Sequence, residues 1–129
     1  MTREPMVDHG QTLTGPAGKV IGFLNGKVKF ESFADTLRVA GYSETEVTWL
    51  YGEDGIHLLE RMQEHRFFFS DSEDSIIQTG IRELKQGHCA VSVEVADRQH
   101  AVDIANLAKP YGGHGFMYFG TWVNERISI

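Results

Sequence analysis

An α+β fold is predicted for this chain from three observations: two strand-helix-strand units, a helical stretch between them, and strands that are apolar on both faces. The repetition is visible in residues Gly41 to Gly52 and Tyr111 to Trp122. Each leaves a helix through a glycine turn and enters a strand in which an aromatic residue is followed by glycine.

The elements follow in order. Lys19 to Leu24 is short and apolar and ends at Asn25-Gly26, the form of a strand closed by a turn. Ser32 has a side chain suited to cap a helix whose apolar positions are Phe33, Leu37 and Ala40, and Gly41 ends it. Val47 to Tyr51 is rich in β-branched and aromatic residues and is the second strand. Between Glu53 and Gln86 the apolar period becomes helical, with Ile56, Leu59 and Met62 on one stripe and Ile77, Ile81 and Leu84 on another. Two helices are expected there, separated by Arg66 to Asp71, and Gly87 stops the second. His88 to Val95 alternates cleanly, with Cys89, Val91, Val93 and Val95 on one face and His88, Ala90, Ser92 and Glu94 on the other. Asp97 caps a helix with Ala101, Ile104, Ala105 and Ala108 as its buried stripe, Pro110 prevents its continuation, and Phe116 to Trp122 is the last strand.

This order is the split arrangement of ferredoxin-like folds, expected here as a four-stranded antiparallel sheet with helices on one face and a helical pair inserted. Residues 1–17, broken by Pro5, Gly10, Gly15 and Pro16, are expected to be a flexible tail, and residues 18–129 one domain. Trp49 and Tyr51 share one strand face, as do Phe116, Tyr118 and Trp122, with Met117 and Phe119 opposite. A sheet apolar on both sides needs a second cover: the inserted pair, the tail, or another copy of the chain. A homodimer is the expected solution. Trp49, Tyr51, Phe67, Phe68 and Phe116 are its candidate contacts, because three consecutive phenylalanines at Phe67 to Phe69 cannot all enter one core.

The charge balance narrows the partners. Twelve Lys and Arg against 18 Asp and Glu give a net charge of -6, with the basic residues dispersed, so nucleic acid is not an expected partner. No run of about 18 apolar residues spans a bilayer, and no membrane partner is expected. Cys89 is the single cysteine, which excludes an intrachain disulfide and fits a reducing, cytoplasmic setting. Its alternation with Val91 and Val93 directs it to the core as a small hydrophobe rather than a nucleophile.

Ala40-Gly41-Tyr42-Ser43-Glu44, together with Tyr111-Gly112-Gly113-His114 leading through Tyr118-Phe119-Gly120 to Trp122, resembles small bacterial general-stress proteins of the heat-induced type. The resemblance spans Lys19 to Trp122. It implies an α+β domain linked to stress physiology and carries over no reaction and no catalytic residues.

His88, His100 and His114 flank the second strand-helix-strand unit, where a strand start, a first helical turn and a glycine turn can converge. Imidazoles gathered in this way bind a divalent ion or act as a general base, with Tyr118 and Trp122 beside them as candidate ligand contacts. No His-x-x-x-His, Cys-x-x-Cys or His-Glu-x-x-His spacing is present, so solvated or hydrogen-bonded histidines are expected in preference to a metal site. His114 stands out among them, since Gly113 and Gly115 let its backbone approach another group closely. No nucleophile, base and orienting group come together in the sequence, and it leaves the cofactor unknown. Two functions are expected: a non-enzymatic stress-associated protein acting by self-association or partner binding, or a small-molecule or metal-binding protein, enzymatic or not, using these histidines and aromatics.

Overall fold

The computed structural model describes residues 18–64, 71–120 and 124–128. In chain order they form β1 (Lys19–Leu24), α1 (Lys27–Val39), β2 (Val47–Leu50), α2 (Gly52–Glu64), α3 (Asp71–Lys85), β3 (Cys89–Glu94), α4 (Arg98–Ala108), β4 (His114–Phe119) and β5 (Asn124–Arg126). Every pairing is antiparallel, in the spatial order β2-β3-β1-β4-β5. The α+β class is as expected. The sheet has five strands rather than four, because the chain after β4 turns back and pairs Asn124 to Arg126 along its edge.

Helices cover both faces, not one. Alternation along the strands sorts side chains between two cores. Val20 and Leu24 of β1, Trp49 of β2, Val91 and Val93 of β3 and Phe116 of β4 pack with Phe30, Phe33 and Leu37 of α1 and the alanine-rich stripe of α4. Phe23, Leu50, Ala90 and Phe119 face the other way and pack with Leu58, Leu59 and Met62 of α2 and Ile76, Ile77 and Leu84 of α3. The inserted pair is therefore the second cover. Trp49 and Phe116 are buried within their own chain, and half-buried Tyr51 stacks on Phe30 with ring centroids 5.6 Å apart. Phe67, Phe68 and Trp122 lie outside the described residues. Among the described residues, no helix is long and apolar enough to cross a membrane.

Two local departures and one agreement have physical reasons. Helix α1 begins at Lys27, not at Ser32, because starting after Gly26 places Phe30 on the same buried stripe as Phe33 and Leu37. Asp97 does cap α4, accepting the backbone N–H of His100 at 3.0 Å. Strand β4 begins at His114 rather than Phe116, through a bulge that bears directly on function.

Close approach fixes the layers. A Cβ on Gly55 of α2 would stand 2.7 Å from Leu84 Cδ2, and one on Gly80 of α3 would stand 3.0 Å from Leu59 Cδ1. The two helices thus lie tight against each other and set α3 at a fixed height above the sheet. On the opposite face the ring of Phe116 occupies the space that a side chain on Gly22 would fill. Gly22→Ala is expected to destabilise the protein by about 1–3 kcal/mol through this overlap. Urea denaturation of Gly22→Ala, Phe116→Leu and the double variant checks it: the smaller ring-free side chain should relieve part of the alanine's cost, giving a coupling of about 0.5–3 kcal/mol.

Candidate metal centre

Helix α3 ends in a tight glycine cap. Gly87 adopts φ 86°, its N–H donates to the Leu84 carbonyl at 3.0 Å, and the His88 N–H donates to the Glu83 carbonyl at 3.1 Å. This pair of bonds folds the residue after the glycine back over the last helical turn. His88 is thereby held beside Glu83 before any side-chain contact forms. Its ring lies on the Ala90 side of β3, the face covered by α2 and α3.

The third member comes from β4. Phe119, Tyr118, Met117 and Phe116 alternate between the two cores, which would send His114 to the Phe116 side. A bulge prevents this. Met117 pairs with Ile21 and His114 with Phe23, so three steps on β4 match two on β1, and Gly115 takes φ 66° at the extra residue. His114 consequently emerges on the opposite face, its ring 6.1 Å from that of Phe23. β1 separates β3 from β4, so His88 and His114 rise from strands about 9.5 Å apart and lean together across its end.

Glu83 closes the gap. Its Oε1 lies 2.7 Å from His88 Nδ1 and 2.7 Å from His114 Nε2. The two imidazoles meet edge to face at 5.6 Å. One ligand atom from each of the three residues falls within 4.8 Å of the other two. The side chains are 18% (Glu83), 25% (His88) and 37% (His114) exposed, so the cluster sits at the rim of the second core, not inside it.

Burial pushes the Glu83 carboxyl up, but the hydrogen bonds from His88 and His114 outweigh it and leave the group below its ordinary range, hence ionised near neutrality. His114 Nδ1 is 2.9 Å from the Gly112 carbonyl oxygen, which only accepts, so Nδ1 carries a proton. Nε2 meets the Glu83 carboxylate at 2.7 Å, a hydrogen-bond distance that an ion bound to both atoms would have to widen. With a metal ion the ring stays neutral, and the Gly112 bond fixes the tautomer that offers Nε2 as ligand.

The other sequence candidates fall elsewhere. His100 opens α4 beyond the far end of β3, on the order of 20 Å from His88 along the strand. Its Nδ1 contacts Asp97 at 2.7 Å, an exposed local pair. Tyr118 packs on the first core, across the sheet from the cluster. Cys89 adjoins His88 in sequence but points into that same first core, where burial pushes its thiol up to about 12. It is inert. Glu83 is the member that reading the sequence misses; the signal for it is the spacing Glu-x-x-x-Gly-His, because a capping glycine returns the next residue to the one four before the glycine.

No family model, no curated protein and no solved structure matches this chain.

Because Glu83 is held below its ordinary 4.5, it contributes stability that is present above that value and lost as pH falls through the lower folded one. The stability difference between the parent chain and Glu83→Gln, measured by urea denaturation from about pH 6 to about pH 3, should shrink towards the acid end. A difference independent of pH contradicts an ionised, imidazole-bound carboxylate.

Proposed function

We propose that this chain is a transition-metal-binding protein whose ligands are Glu83 Oε1, His88 Nδ1 and His114 Nε2. The observation that carries this is that one donor atom from each of these three residues lies within 4.8 Å of the other two, both imidazoles meeting a single carboxylate oxygen. Two imidazole nitrogens and a carboxylate form a donor set typical of zinc in catalytic sites and of other divalent first-row ions, and unlike the all-oxygen sets of calcium or magnesium. The supporting contacts agree: His114 is oriented by the Gly112 carbonyl and His88 by its backbone bond to Glu83.

The self-association reading has less support. It rested on an apolar sheet face awaiting a cover, and α2 and α3 supply one from within the chain. The link to stress physiology rests on the motif resemblance alone. On the fold, we read β2-β3-β1-β4 as a ferredoxin-like unit extended by β5 and the inserted pair, on the strength of strand order and connectivity.

Isothermal titration of the metal-stripped chain with zinc tests the proposal. One ion should bind per chain. His114→Ala and His88→Ala should each weaken binding by more than about 100-fold, beyond the roughly 10–100-fold that loss of a supporting hydrogen bond costs. His100→Ala should leave binding unchanged. Absence of stoichiometric binding, or equal loss in all three variants, would sink the proposal.

A further inference from the structure

We infer that the ion held by Glu83, His88 and His114 keeps a coordination position facing solvent and takes a small carboxylate ligand there. This rests on the metal-binding reading. Three donors are too few for zinc or its analogues, which take at least four. Among the described residues no further His, Cys, Asp or Glu joins the group. The nearest soft donor in sequence, Cys89, is committed to the first core on the other side of the sheet.

The protein also resists closing around the ion to recruit a fourth donor. His88 is tied through its backbone to the end of α3, His114 through Nδ1 to Gly112, and α3 is held at a fixed height by the glycine contacts at Gly55 and Gly80. Phe23 backs the cluster on the sheet side, while His114 is the most exposed member and marks the open side. The missing position therefore points outward.

Charge selects the class of ligand. One carboxylate neutralises half the charge of a divalent ion, and two neutral imidazoles add nothing, so a single positive charge remains. A monoanion balances it. Zinc takes carboxylate oxygen at about 2.0–2.2 Å, and a small carboxylate fits a position at a shallow rim.

The test uses the full chain loaded with cobalt(II), whose visible bands report coordination. Azide should shift these bands saturably, acetate should compete with azide, and both effects should persist in His100→Ala. Bands that form on loading yet move with neither anion would show a closed coordination sphere and overturn this inference while leaving the metal site intact. If azide shifts the bands but acetate does not compete, the carboxylate assignment is overturned. Failure of cobalt(II) to bind at all would remove the metal site and this inference with it.

Discussion

The central constraint on this molecule is that strand β1 buries side chains on both of its faces. Its neighbours β3 and β4 take both edges, Val20 and Leu24 enter one core, and Phe23 enters the other, each 1% exposed or less. A strand buried on both sides obliges the chain to cover the sheet twice. Helices α1 and α4 cover the first face, and α2 and α3 the second. Truncating a large apolar side chain at a position such as Phe23 or Phe119 typically costs about 3–5 kcal/mol, a large share of a domain's net stability. The inserted helical pair is thus structural before it is anything else.

The candidate site is a by-product of that second cover. Once α3 crosses the sheet, its last turn overhangs the end of β1, where β3 begins on one side and β4 on the other. A carboxylate in a helix's last turn faces the negative end of the helix dipole, which disfavours it by about 0.3–1 kcal/mol. Hydrogen bonds to a charged acceptor contribute about 1.5–3 kcal/mol each, and Glu83 accepts two. The imidazoles win, which explains why an acidic residue is stable where a basic one is usually favoured.

Much of the fold was legible from local rules. Capping at Asp97, the apolar stripe of α4, the alternation of β3 and the buried side of Cys89 all follow from short-range pattern and stand in the structure. The helix start at Lys27 was not legible, because propensity and capping pointed to Ser32 while burial of Phe30 decided the matter. Strand β5 was hidden for a related reason: three residues on a sheet edge carry too little alternation to register.

The site was half legible. Composition and placement single out His88 and His114, but a strand beginning at Phe116 gives His114 no face, and only the bulge at Gly115 brings it to the side of His88. In the sequence the glycines around His114 suggest close approach, whereas the decisive one, Gly115, works by adding a residue to β4. Glu83 lies five residues before His88 and 31 before His114, so no compact motif joins the three. His100 was grouped with them by sequence proximity to the same unit, and the length of β3 keeps it away. The echo between Gly41 and Gly112 also gains a third instance at Gly87, since all three glycines end helical turns with positive φ. It is this third copy that seats His88.

The most direct measurement is a crystal structure of the protein grown with zinc, with diffraction recorded on both sides of the zinc absorption edge. The account predicts one anomalous peak about 2.0–2.2 Å from Glu83 Oε1, His88 Nδ1 and His114 Nε2. A peak centred on other residues, or none at this cluster while zinc is present in the crystal, would contradict it.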